Sequence, residues 1–252
     1  MTLSVPLLAA FFLLTALVYG AAGFGGGSTY TALLVLAGRG ATEVPVVSLT
    51  CNIIVVSVGA WRFARAGHVD LKRIWPLFAA SVPLAFVGGL LPVGRLLFVG
   101  LLALSLFVAG AAMLWRPGDI ERPPRPYPRW FEPLVGGVLG LLAGIVGIGG
   151  GIYLAPVLHL LRWGRAHAIA GTCAVFILVN SLAGLAGQLV KSGAAAAEIL
   201  AAHWLLLPAV AVGGLAGSTL SIGRFGQRTL RVLTAVLILF VAVQLTRRFF
   251  AN

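Results

Sequence analysis

Residues 74–93 and 96–115 are two runs of twenty without a single charged side chain. As helix, at about 1.5 Å per residue, each reaches about 30 Å, the thickness of a bilayer's hydrocarbon core. Reading the remaining apolar runs against their charged breaks gives further segments at 3–22, 28–38, 43–61, 134–146, 151–161, 166–190, 199–220 and 229–246. Charged residues make up 10% of the chain, its mean hydropathy is +1.05, and soluble domains carry about 25% charge. The expectation is an all-α polytopic membrane protein with about eight hydrophobic helices by hydropathy. The first segment has no basic region before it and no small-x-small cleavage pattern after it, so it is read as retained rather than as a signal peptide.

Glycine then appears where a helix should avoid it. GAAGFGGG occupies 20–27 and GIVGIGGG occupies 144–151, five of eight positions matching at an offset of 124. Each glycine inside a helix costs roughly 0.5–1 kcal/mol relative to alanine. The same offset pairs Gly40 with Gly164, Ser48 with Thr172 and Ser57 with Ser181, and Gly88-Gly89 meets Gly213-Gly214 within one residue. Between the halves, RPGDIERPPRPYPRW at 116–130 holds five prolines and six charges and cannot sustain a helix. The expected organisation is a first transmembrane repeat at 1–115, a Pro/Arg-rich linker at 116–132 and a second repeat at 133–252. Internal duplication is a mark of transporter folds with substrate sites at the repeat interface.

The segments flanking the second glycine motif are each too short to cross a bilayer, so they form either one broken span or a re-entrant hairpin. With hairpins, each half has three full spans and the second is inverted. One side then collects Arg62, Arg65, Lys72, Arg73, the four linker arginines, Arg162, Arg165, Arg224, Arg228 and Arg231, 13 of the 18 basic residues. That bias is stronger than the one for broken spans, and it favours inverted repeats with the linker cytoplasmic and both termini periplasmic. It also accounts for the net charge of +12 without a nucleic-acid partner.

A glycine-rich break leaves backbone N–H groups unshielded, and the half-helix that follows presents the positive end of its dipole at mid-membrane, a setting for an anion. Candidate substrate-binding residues are therefore Gly25, Gly26, Gly27, Ser28 and Thr29 at the first break, and Gly149, Gly150, Gly151 and Tyr153 at the second. Asn52, Thr172, Asn180 and Gln188 join them, because a polar group in hydrocarbon needs a partner. The competing reading for these amides and hydroxyls is helix-to-helix bonding, and for Gly136-Gly140-Gly144 close helix packing. Glu43, His159, His167 and His203 fall near segment ends, and Cys51 and Cys173 read as small buried hydrophobes. No metal-ligand spacing and no cofactor motif is visible. Ser28 is followed by Thr29 rather than glycine, so a G-x-S-G protease loop fails, and no phosphate-loop lysine follows the glycines; no enzyme is expected.

The paired Gly-x-Gly-Gly-Gly tips, the proline in GIGGGIYLAPVL (Pro156) and the A-x-x-x-x-G-T stretch at 166–172 resemble the TauE/SafE-type sulfite exporter (4-toluene sulfonate uptake-like) family. The resemblance covers essentially the whole chain. It implies a transporter in the bacterial cytoplasmic membrane that exports small sulfur-containing anions such as sulfite and sulfoacetate, with no enzymatic step and no organic cofactor. The family's glycine-tip residues fall on Gly25, Gly26, Gly27, Gly149, Gly150 and Gly151, while Ala32 stands where the second half has Pro156. Another small anion or a metal cation remains the alternative cargo; the sequence leaves the anion, proton coupling and a homodimer open.

Overall fold

The computed structural model describes residues 4–114 and 128–220, together with positions 239, 242, 243 and 246. Most of the linker, most of the final apolar segment at 229–246, and Arg224, Arg228 and Arg231 lie outside the described residues. The elements are α1 (Val5–Ala22), α2 (Gly27–Leu36), α3 (Glu43–Arg65), α4 (Leu71–Leu90), α5 (Arg95–Leu114), α6 (Phe131–Val146), α7 (Gly151–Leu160), α8 (Ala166–Ser192), α9 (Ala195–Ala202) and α10 (Leu206–Leu220). The protein is an all-helical polytopic membrane protein. By length and composition α3, α4 and the 167–192 stretch of α8 can each cross a bilayer, and among the described residues the bent α9–α10 pair is long and apolar enough only when its two helices are taken together.

Local sequence sets the ends. Asp70 accepts from the backbone N–H of Lys72 and Arg73, at 3.1 and 3.3 Å, and starts α4. α1 stops at Gly23, which adopts a left-handed conformation while Phe24 N–H reaches back to Tyr19 O, a glycine-terminated helix end. The segment expected to run unbroken over 199–220 is instead two helices bent by 63°. Pro208, third in α10, supplies no N–H and clashes with a helical carbonyl four residues back, so the break falls at His203–Trp204.

At the centre α3 and α8 cross antiparallel. Val56, Ala60, Ala174 and Ile177 pack between them. Asn52 meets Ser181 on one side of that crossing and Phe63 meets Gly171 on the other. Around this pair the halves exchange partners: α1 lies along α10 and α6 along α4. The Gly-Gly pairs sit in matching places. Gly88 lies over α6 and Gly89 over α8, whereas Gly213 lies over α1 and Gly214 against α3. Gly136, Gly140 and Gly144 rest on the carbonyls of Leu77, Ser81 and Ala85, so that spacing is close helix packing.

At both glycine motifs the chain turns back over the helix that precedes it. α2 folds back along α1, with Tyr30 stacked on Phe12 at 4.6 Å between ring centres and Thr15 beside Gly26. At the second break a Cβ on Gly150 would stand 3.3 Å from Leu139 O of α6, and α7 then packs on α8 and α5. The hairpins enter from opposite ends of α3. Gly23 ends α1 against Gly59 and Phe63, near the arginine end of α3, whereas Gly147 ends α6 against Pro45, near Glu43. At the arginine end Arg73 donates to Trp163 O and stacks on its ring, Trp163 Nε1 donates to Glu132, and His68 faces His167. Arg62, Arg65, Lys72, Arg73, Arg129, Arg162 and Arg165 thus gather there, while Arg39, Arg95 and Lys191 lie toward the other end.

Candidate functional site

The two breaks meet on Asn52. From α3 its Oδ1 accepts the Gly27 N–H at 3.1 Å, and its Nδ2 donates to Ser181 Oγ on α8 at 2.9 Å. A Cβ on Gly25 would overlap Asn52 Oδ1, and one on Gly149 would come to 2.5 Å from Nδ2. A Cβ on Gly27 would come to 2.5 Å from Ile148 O of the opposite break. Any side chain at these positions would push the two loops apart.

Ser48, one turn before Asn52, holds the loops from the other side. Its Oγ is 2.8 Å from Gly147 O and 3.0 Å from Gly27 O, one carbonyl from each break, and it accepts the Thr31 hydroxyl at 2.8 Å. Asn52 and Ser48 therefore satisfy much of the irregular backbone that lipid could not. Every residue of this meeting point is buried. Among the described residues that touch it there is no carboxylate and no basic group.

Backbone donors remain. The helical bonds of α2 begin with Tyr30 N–H to Gly26 O, which puts the amides of Ser28 and Thr29 ahead of the ladder. In α7, Tyr153 and Leu154 N–H both go to Gly150 O, which leaves the Gly151 and Ile152 amides ahead of it. The positive ends of two helix dipoles thus face one buried locus. The breaks differ in construction. Gly147, Gly149 and Gly150 all have φ near +80°, whereas Gly25, Gly26 and Gly27 do not. The second break needs glycine for its left-handed backbone; the first, for room beside Asn52.

The other expected residues divide. Ser28 and Thr29 turn their hydroxyls to Tyr19 OH, at 3.3 and 3.1 Å, and so tie α2 to α1. Tyr153 is buried on α7. Asn180 Nδ2 bonds Phe176 O of its own helix at 2.8 Å, leaving Oδ1 without a partner among the described residues, and Thr172 Oγ1 is similarly unpartnered. Gln188 lies away from the breaks' contact and donates to Gly144 O at 3.0 Å, joining α8 to α6. The structure adds Thr31, Ser48, Ser181 and Tyr19. The 124-residue register had marked Ser48 and Ser181 through their counterparts, but Thr31 and Tyr19 faced no polar counterpart.

Two glycine breaks with buried irregular backbone between long apolar helices define the class: a multi-pass α-helical membrane protein with a polar centre. The chain belongs to the family described as Sulfite exporter TauE/SafE, which it matches over residues 7–245. It is similar to "Probable membrane transporter protein y4hK" of Sinorhizobium fredii (strain NBRC 101917 / NGR234), with 31% identity over 248 residues, 97% of this chain and 98% of the relative. No solved structure matches it. The chain is a membrane transporter.

Proposed function

We propose that this transporter exports small sulfur-containing oxyanions, sulfite and short organosulfonates, across the bacterial cytoplasmic membrane, and holds the anion where the two glycine breaks meet. The observation that carries this reading is the pair of helix N-termini converging on Asn52, with amides of Ser28, Thr29, Gly151 and Ile152 ahead of their helical ladders. Asn52 Oδ1 occupies the acceptor position at Gly27 N–H that an anion's oxygen would take. Backbone donors recognise an oxyanion without the full desolvation cost of a buried cation. The family description supports sulfite as cargo.

The hairpins' entry from opposite ends of α3 supports two inverted repeats, 1–115 and 133–252, joined by a cytoplasmic linker. The gathering of basic residues at the Arg62–Arg65 end supports placing that end in the cytoplasm and the N-terminus in the periplasm. Moving one negative charge outward against a negative interior gains about 2.3 kcal/mol per 100 mV, so an anion leaves without a coupling ion. No enzymatic step is assigned, and nothing at the meeting point favours a metal cation.

The test is sulfite and methanesulfonate efflux from proteoliposomes containing wild type, Gly26→Leu or Gly150→Leu, with insertion checked by protease protection. Both variants should insert and lose flux. Wild-type flux in both would reduce the breaks to packing.

A further inference from the structure

A cavity of about 490 Å³ lies at the Glu43 end, between the α2–α3 turn, the α4–α5 turn and the C-terminal ends of α6 and α8. It belongs to none of the contacts described at the breaks, yet it abuts one of them. Its wall includes Ile145, two residues before Gly147, whose carbonyl Ser48 holds. Leu91, Val93 and Phe98 give it apolar walls, Thr42 a hydroxyl, and Lys191 a cation, the one ionisable side chain among the described lining residues.

Lys191 sits at the C-terminal end of α8, where a lysine in a membrane protein usually extends outward to lipid headgroups. Here it lies across the cavity, and its Nζ donates to Leu91 O at 3.3 Å, at the C-cap of α4. The C-terminal ends of α4 and α8 lie beside it. That bond uses one of three ammonium donors, so Lys191 can hold this position and still bind an oxyanion. The cavity falls within the roughly 300–1,000 Å³ range of small-molecule sites, which are mostly apolar with a few polar groups that fix orientation. A bare sulfite would touch the lysine and leave the apolar wall unused.

We propose that this cavity is the outer vestibule of the transport path, with Lys191 a specificity-determining residue that binds the oxyanion head of a short-chain organic anion while Phe98, Val93 and Ile145 take its apolar tail. The proposal rests on the transport reading above and deepens it by assigning the residue and walls that recognise its organic anions.

The test offers sulfite, butanesulfonate, butyrate and neutral butanol on the Glu43 face of proteoliposomes and measures exchange flux in wild type, Lys191→Met, Lys191→Arg and the opposite-face control Lys72→Met. Lys191→Met should raise the half-saturating concentration of butanesulfonate and butyrate about tenfold, the worth of one charge-assisted hydrogen bond. Its maximal rate and its sulfite half-saturation should stay within about twofold, Lys191→Arg should restore most of the loss, and Lys72→Met should match wild type. Equal half-saturation in wild type and Lys191→Met overturns the proposal, as does an equal loss for sulfite and butanesulfonate, or competition by butanol as effective as that of butanesulfonate. If wild type moves none of these anions, the transport reading fails by itself. Calorimetric titration of the purified proteins with butanesulfonate then decides for Lys191: binding by wild type that Lys191→Met loses, with an unchanged melting temperature, supports the vestibule, and no binding by wild type overturns it.

Discussion

Asn52 carries more of this centre than any other side chain, because its two amide atoms face different partners. Oδ1 accepts from Gly27 on one break, while Nδ2 reaches Ser181 beside the other. Replacing Asn52 by Asp would put a carboxylate against the same amides, where it satisfies them and repels an incoming anion at close range. Asn52→Asp should therefore insert and lower anion flux about tenfold or more; flux at the wild-type level would mean that the anion does not use these donors. Tyr19 is a different case. Its hydroxyl bonds the hydroxyls of Ser28 and Thr29 and ties α2 to α1, so Tyr19→Phe should cost about 1 kcal/mol and lower the melting temperature in detergent, with flux retained. A collapse of flux with unchanged stability would move Tyr19 into the transport path. Asn52 was visible in the sequence as an amide in hydrocarbon, but so was Gln188, and only the fold separates them. Asn52 falls between two breaks, while Gln188 lands one turn along α8 from Gly184, where α6 needs an interhelical bond.

Among the elements, helix contact is made through glycine and backbone carbonyls rather than through large side chains. Gly140 rests on Ser81 O, and any Cβ there would enter the α4 backbone. Gly140→Val should therefore destabilise the solubilised protein by about 1–3 kcal/mol or prevent its accumulation. Gly94→Ala, with nothing within 4 Å of its Cβ, should leave the melting temperature unchanged. Equal melting of both variants would contradict the packing described. Apolar runs and charged breaks located most helix boundaries because hydropathy and turn residues are local. The return of α2 past α1 was not local: it brings Phe12 and Tyr30 into stacking across eighteen residues of chain. The bend at His203 had a local signal in Pro208, masked by the continuous hydrophobicity around it.

At the scale of the whole molecule, exchange of partners between the halves makes the centre. Each hairpin is held by the long helices of both halves, and the two breaks meet because their hairpins enter from opposite ends. The proposed sidedness rests on the basic residues at the Arg62–Arg65 end. Single cysteines placed at Gly67 and at Gly193 should be labelled by a membrane-impermeant maleimide from opposite sides, Gly67 from the cytoplasm. Cys51 and Cys173 are fully buried, so the native background should stay silent. Labelling of both sites from one side would overturn the orientation. The echo of GAAGFGGG in GIVGIGGG was legible in the sequence, but the contact between the two breaks was not. It depends on Gly27 passing Ile148 across 121 residues of chain, a distance no periodicity spans.

The central claim is that an anion binds where the breaks converge. It is tested most directly by determining the structure of the protein with 2-bromoethanesulfonate and locating the bromine by anomalous scattering. The account predicts a bromine signal beside Asn52 and the Ser28 and Gly151 amides, lost in Gly150→Leu. A bromine confined to other parts of the molecule, or unchanged in that variant, would contradict it.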